Sequence, residues 1–214
     1  LDDDTINGDY GFDTVISSRD VAKLVLNGTV ISATLEHFNS AGDSLSTFTL
    51  TSVESARIYG GGMRNTIELI SWDGDAIVSG GGNTDSLSVE IDTDMILKNA
   101  TLIEGLLYSA LFGFFKDSAL SLANGATFHL GSLEKVTITG GPSANLINAS
   151  GYSRPVTLIG KAGNDTLIGG SAADTFIFDA DNVLGTDTVT GNGGADTLNF
   201  AQTTGTGVVV DLAN

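Results

Sequence analysis

The chain has 214 residues, with 26 Asp or Glu against 9 Lys or Arg, and a formal net charge of −17. This acidity disfavours nucleic acid and anionic membranes as partners, and bound divalent cations would relieve the self-repulsion. Because Cys is absent, disulfides and thiolate metal sites are excluded, while an apolar fraction of 41% indicates that the chain buries a core.

The first predicted elements are two short repeats at the N-terminus. In DDTINGDYGFDTVI, Asp4 and Asp13 are nine residues apart, and each precedes a Thr and an aliphatic residue. We expect the aliphatic residues, Ile6 and Val15, to point into a core while the aspartates lie at turns.

Short β-prone runs separated by Gly, Asn, Asp and Ser fill the middle of the chain. They predict an order of strand, turn, strand, over residues 23–31, 47–53, 86–91, 127–140 and 155–160. Core candidates recur every ten residues and indicate regular coils: Ile67, Ile77, Leu87, Leu97 and Leu107.

Residues 99–124 allow two interpretations. This segment, NATLIEGLLYSALFGFFKDSALSLAN, is either one helix or two strands, and its glycines and aromatic residues favour strands slightly. No apolar run in the sequence is long enough to span a bilayer, because Glu104, Ser109 and two glycines interrupt the longest one.

Near the C-terminus the nine-residue spacing returns in its strongest form. Asp165 and Asp174 are nine residues apart in GKAGNDTLIGGSAADTFIF, and Asp187 and Asp196 repeat the spacing in GTDTVTGNGGADTLNF. Glycines permit tight turns with positive φ, the apolar residue two positions after each aspartate fills a core, and hard oxygen ligands collect at the turn. Calcium prefers six to eight such oxygens.

These segments resemble the RTX (repeats-in-toxin, hemolysin-type calcium-binding) repeats of secreted bacterial proteins. The strong copies cover residues 2–16 and 160–199, and weaker copies place Asn65, Asp85 and Asn145 at the aspartate position. Departures from the pattern are Lys161 and Ala172 in place of glycines, and a four-residue excess before Asp187.

The resemblance implies an all-β parallel β-solenoid with glycine-rich calcium-binding turns. In the family, aspartates two repeats apart share an ion, which pairs Asp165 with Asp187 and Asp174 with Asp196 if residues 179–185 bulge outward. The predicted Ca²⁺ ligands are Asp4, Asp13, Asp165, Asp174, Asp187 and Asp196. The alternative is that these aspartates only form Asx turns. Asp75 and Asp85 are weaker candidates.

The sequence offers little for catalysis. His37 and His129 are the only histidines, and neither lies in a zinc motif or beside a recognisable nucleophile elbow. We therefore expect no enzymatic activity, and interpret residues 1–214 as one elongated solenoid, with RTX-like blocks at 1–16 and 160–199 and degenerate coils over 17–159, cut from a longer chain.

The expected function is that of a calcium-binding structural or adhesive segment of a large secreted or cell-surface bacterial protein. Its partners would be calcium ions and, on self-association into a filament or surface array, further copies of itself, without nucleic acid or membrane insertion. Two alternatives stay open: a secretion and folding module of an exported hydrolase, or a subunit of an extracellular filament or surface layer.

Overall fold

The computed structural model describes residues 4–7, 13–17, 23–29, 32–42, 44–100, 118–182 and 184–205. Every regular element in these ranges is a β-strand. The strands are β1 (Asp4–Asn7), β2 (Thr14–Ser17), β3 (Lys23–Gly28), β4 (Ser32–Phe38), β5 (Ser44–Thr51), β6 (Ser55–Tyr59), β7 (Thr66–Ile70), β8 (Asp75–Ser79), β9 (Ser86–Glu90), β10 (Met95–Asn99), β11 (Ser118–Leu122), β12 (Thr127–Gly131), β13 (Lys135–Thr139), β14 (Leu146–Gly151), β15 (Val156–Ile159), β16 (Thr166–Ile168), β17 (Thr175–Ile177), β18 (Thr188–Thr190) and β19 (Thr197–Asn199).

The strands form two sheets that face each other across a common core. Sheet A has ten strands in the order β1-β5-β4-β3-β7-β9-β13-β15-β17-β19, and sheet B has nine in the order β18-β16-β14-β10-β11-β12-β8-β6-β2. From β5 to β10 and again from β12 to β19, consecutive strands alternate between the sheets, so the chain winds as a coil. The expected all-β solenoid with parallel stacking is confirmed.

Two meanders interrupt the parallel stacking. In sheet A, β4 runs antiparallel to β3 and β5, and in sheet B, β11 runs antiparallel to β10 and β12. The other strand pairs in the described ranges are parallel. Each meander lengthens one sheet, which keeps the two sheets nearly equal in strand number.

The core lies between the sheets and is lined by alternate residues of each strand. In β7 and β9 the pattern places Ile67, Leu69, Leu87 and Val89 inside, each no more than 1% exposed. Thr and Ser occupy many of the outward positions, where β-branched and small polar side chains suit a pleated, solvated face.

The expected ten-residue core spacing is correct for three of the five positions. Ile67, Leu87 and Leu97 belong to the core, but Ile77 lies outside the core cluster, although it is buried. The turn before β8 is shorter than the turn after it, so Ala76 and Val78 point inward instead. Leu107 lies outside the described residues.

The segment 99–124 is described only in part. Residues 101–117 lie outside the described ranges, and residues 118–122 form β11, as the strand interpretation predicts for that end. The strand was not expected to run antiparallel to its neighbours. Among the described residues there is no helix with the length and apolar character that crossing a membrane requires.

Packing of the C-terminal coils depends on how many coils cover each residue. Leu167 and Phe176 are fully buried, Val15 is 7% exposed, and Leu198, in the last strand of sheet A, is 39% exposed. Leu198 was expected to be buried, but no described strand pairs with the far edge of β19. The side chain of Ile6 lies outside the described part of the structure.

Substitutions in this core should therefore differ in their effect. In calcium, Leu167→Ala or Phe176→Ala should lower the free energy of unfolding by about 2–5 kcal/mol, since each opens a cavity in a closed core. Leu198→Ala should cost clearly less, because its side chain already contacts solvent. Denaturant unfolding curves measure all three variants, and equal losses for Leu167→Ala and Leu198→Ala would contradict the packing.

Candidate metal centre

The turns that precede the strands stack in two lines along the solenoid. Edge A, defined here as the residues just before strands of sheet A, includes Asn65, Asp85, Glu134, Asp174 and Asp196. Edge B, the residues just before strands of sheet B, includes Asp13, Glu54, Asn145, Asp165 and Asp187. Side chains with an oxygen acceptor therefore recur at the same point of successive coils.

The carboxylates of these edges, apart from Asp13, accept a hydrogen bond from the coil before them. Asp165 accepts a hydrogen bond at Oδ1 from the backbone N–H of Asn145 at 2.8 Å, and Asp187 accepts one from the N–H of Asp165 at 3.0 Å. On edge A, Asp196 accepts one from the N–H of Asp174 at 2.9 Å. The residue after each aspartate donates in return to the preceding coil, as Thr188 does to the carbonyl of Asp165. We call this exchange the edge clamp.

The second carboxylate oxygens differ between the two edges. Oδ2 of Asp174 accepts the N–H of Gly170 at 2.5 Å. Asp165 is 1% exposed, and no group in the described part of the chain donates to its buried Oδ2. A buried oxygen without a donor costs about 1–3 kcal/mol. A bound cation is one way to satisfy it.

Glycines bring backbone carbonyl oxygens close to these carboxylates. A Cβ at Gly169 would stand 2.5 Å from Oδ2 of Asp174 and 2.7 Å from the carbonyl oxygen of Gly191. Gly163, at φ +115°, lies over the carbonyl oxygen of Ser143 in the coil before it. Only glycine permits both the left-handed conformation and this approach. The turns thus present carbonyl and carboxylate oxygens to the space between coils.

Burial raises the pKa of three of the four C-terminal carboxyl groups above the usual aspartate value of 3.8. Desolvation raises the pKa of Asp165, Asp174 and Asp187, and the backbone hydrogen bonds to each offset only part of it. The neighbouring charge of Asp187 raises the pKa of Asp165 further, and that of Asp196 does the same for Asp174. Two carboxylates of adjacent coils therefore resist ionising together without a cation.

The structure brings together the C-terminal aspartates in the predicted pairs. Asp165 lies against Asp187 and Asp174 against Asp196, each pair 22 residues apart. The four-residue excess is accommodated between β17 and β18, in the segment predicted to bulge. Lys161 adopts φ +72° at its glycine position, and its Nζ contacts Oε1 of Glu90.

The N-terminal aspartates are placed differently. Asp4 is the first residue of β1 in sheet A and Asp13 precedes β2 in sheet B, so they lie on different sheets. The acid that meets Asp13 in the next coil is Glu54, whose Oε2 accepts the N–H of Asp13 at 2.8 Å. Within the described ranges, no second aspartate of the repeat pattern pairs with Asp13.

Sequence reasoning missed the two glutamates of the edges. Glu54 binds the N–H of Asp13, and Glu134 binds the N–H of Asp85 at 2.7 Å. A usable signal existed, because each glutamate precedes a β-prone run by one residue and a Gly-Gly pair by six. The two weaker candidates for Ca²⁺ ligands have different surroundings. Asp85 is buried and its Oδ1 accepts the N–H of Asn65, whereas Asp75 is exposed and its Oδ1 accepts the N–H of Thr127.

His37 and His129 remain apart from these edges. His37, 2% exposed, shares a hydrogen bond of 2.9 Å with Oγ of Ser17 inside the solenoid. His129 lies in β12. Within the described residues, no three His, Asp or Glu side chains converge to hold a metal by themselves. A metal between the C-terminal coils would thus combine two carboxylates with backbone carbonyls, which suits the oxygen preference and flexible geometry of Ca²⁺.

Comparison with known families agrees with this chemistry. The model of the RTX calcium-binding nonapeptide repeat (4 copies) matches residues 157–183 and 184–201, which include all four C-terminal aspartates. No curated protein matches the chain. The chain therefore carries RTX calcium-binding repeats, and Ca²⁺ is the ion that such repeats bind.

Proposed function

We propose that the chain is a calcium-stabilised structural or adhesive segment of a secreted or cell-surface bacterial repeat protein. Ca²⁺ binds between stacked turns, through Asp165 and Asp187 on edge B and through Asp174 and Asp196 on edge A. Asp13 with Glu54, and Asp4 at the first strand, are further candidate ligands. The role is mechanical: the ion holds successive coils together in one elongated domain.

The observation that carries this proposal is the pairing of buried and partly open carboxylates in adjacent coils. Asp165 and Asp174 are each 1% exposed, and each has the next aspartate of its edge hydrogen-bonded to its own backbone N–H. Such pairs repel each other in the absence of a cation. Calcium supplies two positive charges and accepts several oxygens at flexible turns.

An extracellular location is supported by composition and by the ion. Many extracellular proteins are stabilised by disulfides. This chain lacks Cys, and bound calcium would stabilise it instead. Calcium sites of extracellular modules have dissociation constants of about 10⁻⁴–10⁻³ M, far weaker than those of cytosolic buffers.

Self-association along the solenoid axis is a second candidate role. Among the described strands, none covers the outer edge of β19, and Leu198 beside this edge is 39% exposed. Strand edges of this kind pair readily with further strands. A second copy or a further coil of a longer chain would meet this end.

Chelation should lower the melting temperature of the protein, and magnesium should restore it poorly, because Mg²⁺ demands stricter octahedral geometry. Asp174→Asn should weaken the stabilisation by calcium, since a carboxamide still accepts hydrogen bonds but removes one charge from the pair. Asp75→Asn, an exposed position on the other sheet, serves as a control. A melting temperature that does not change with calcium would contradict the proposal.

Without calcium, stability should increase as the pH falls from neutral towards 3.8. In the folded state the pKa values of Asp165, Asp174 and Asp187 are raised, so the folded state binds protons more tightly than the unfolded state does. Protonation of these groups therefore stabilises the fold, and this stabilisation is lost as the pH rises through the folded pKa values. Asp165→Asn should flatten this trend, and Asp75→Asn should not. Denaturant curves at a series of pH values, with chelator present, measure it.

With saturating calcium, the trend should reverse, because protons and Ca²⁺ compete for the same carboxylates. Acidification should then release calcium and lower the free energy of unfolding towards the calcium-free value. Identical slopes of stability against pH with and without calcium would show that the ion does not bind these aspartates.

A calcium titration tests the extracellular assignment directly. Ordering of the C-terminal coils, followed by circular dichroism or calorimetry, should have its midpoint at about 10⁻⁴–10⁻³ M calcium. Asp196→Asn should shift the midpoint to higher calcium. A midpoint below micromolar concentration would instead indicate a site suited to the cytosol.

A further inference from the structure

One complete coil separates the C-terminal calcium repeats from the rest of the solenoid. This junction coil, defined as residues 140–159, contains β14 and β15 and stacks directly against β16 and β17. At the edge B position where the next coil carries Asp165, the junction coil carries Asn145. On edge A, the register places Val156 opposite Asp174 and places Arg154, two residues earlier, opposite Glu134, so neither of these two positions of the junction coil carries a carboxylate.

Asn145 binds its neighbours entirely by hydrogen bonds. It is 4% exposed, its Oδ1 accepts the N–H of Gly141 at 2.8 Å, and its Nδ2 donates to Oδ1 of Asp92 at 3.2 Å. Ser143 donates to the same carboxylate from its N–H at 3.1 Å and from Oγ at 2.9 Å. Although burial raises the pKa of Asp92, these bonds together lower it below 3.8.

The contrast with the next coil is direct. Asp92 receives three donors from the turn of residues 140–145, whereas Oδ2 of Asp165 receives none from the described residues. A carboxylate that is fully hydrogen-bonded stays ionised without a metal, while one that is buried and partly unbonded needs a cation. The carboxamide of Asn145 makes this difference on edge B.

Arg154 provides a charged group beside edge A. Its Nη1 donates to the carbonyl oxygen of Leu133 at 3.0 Å, which anchors the guanidinium beside the turn of Glu134. Two residues later, the N–H of Val156 donates to Oδ1 of Asp174 at 3.0 Å. The junction coil thus carries a permanent positive charge next to the turn of Glu134.

We infer that Asn145 and Arg154 determine where calcium binding stops along the solenoid. An amide stands at the edge B position that carries Asp165 in the next coil, and a guanidinium stands two residues before the edge A position that carries Asp174, so the junction coil stacks without the ion. It then offers a folded edge on which residues 160–199 assemble when calcium arrives. This inference rests on the proposed calcium binding at the C-terminal aspartates.

Amide hydrogen exchange on the full chain, followed by mass spectrometry in chelator and in calcium, tests the boundary. In the wild-type protein, β14 and β15 should stay protected in both conditions, whereas β16 to β19 should be protected only in calcium. The boundary of protection in chelator should fall between residues 159 and 166.

Variants then assign the boundary to the two side chains. Asn145→Asp places a second carboxylate against Asp92, so exchange in β14 should accelerate at least about tenfold in chelator and recover in calcium. Asn148→Asp, the same change three residues later and within β14, is the matched control, because this side chain accepts only the N–H of Ser150 among the bonds described. Arg154→Gln should accelerate exchange in β15 in both conditions, since calcium has no carboxylate pair to bind there.

The outcomes separate the two proposals. Calcium-insensitive exchange throughout β16 to β19 would overturn the proposed function itself. If calcium protects β16 to β19 but β14 and β15 also open in chelator, the boundary inference fails and the proposed function stands. The inference likewise fails if Asn145→Asp behaves as Asn148→Asp does, if calcium does not rescue it, or if Arg154→Gln leaves β15 unchanged.

Discussion

The structure depends on a hydrogen bond between a turn side chain and the backbone N–H of the coil before it. In a two-sheet solenoid, the N–H at the start of a strand lies beyond the regular ladder and still requires an acceptor. Asp and Glu provide that acceptor at equivalent positions, as Asp165 and Glu134 illustrate, whereas Oδ1 of Asn145 accepts the N–H of Gly141 in its own turn. The edge clamp therefore recurs in several coils of the described chain and depends on a carboxylate.

The proposed calcium sites lie where the clamp carries more negative charge than its hydrogen bonds satisfy. A glutamate or asparagine with donors around it completes the stacking by itself, as Asn145 does between Gly141 and Asp92. Where consecutive coils both carry aspartates that are buried or close together, desolvation raises their pKa values, and a divalent cation becomes the better partner. One backbone plan thus accommodates both the coils proposed to bind calcium and coils that hydrogen bonds hold together.

The sequence predicts buried core positions from local spacing, and its resemblance to the RTX repeats implies the solenoid and the C-terminal aspartate pairs. Leu167 and Phe176 are buried where the nonapeptide pattern places them, and the pairs Asp165–Asp187 and Asp174–Asp196 lie in adjacent coils. These features depend on residues a few positions apart, which the pattern of glycines and alternating apolar residues encodes.

The meanders and the glutamate clamps were not predicted, for different physical reasons. Side chains alternate between the two faces in parallel and antiparallel strands alike, so the sequences of β4 and β11 do not indicate antiparallel pairing. Glu54 and Glu134 were missed because the search template required aspartate, although a longer side chain reaches the same N–H. Ile77 was misplaced because coils alternate turn lengths, which an average spacing of ten residues conceals.

The meanders also increase the sequence separation between residues that contact each other in neighbouring coils. Around them, stacked partners are far apart, with separations of 41 residues at Asp13 and Glu54 and 52 residues at Asp94 and Leu146. In the C-terminal coils, the separations are only 18 to 22 residues. Because folding slows as contact order rises, the slow search for β-pairing falls mainly on the coils next to the meanders. The coils proposed to bind calcium close loops about as short as those between β6 and β9, so they can form quickly once the ion is present.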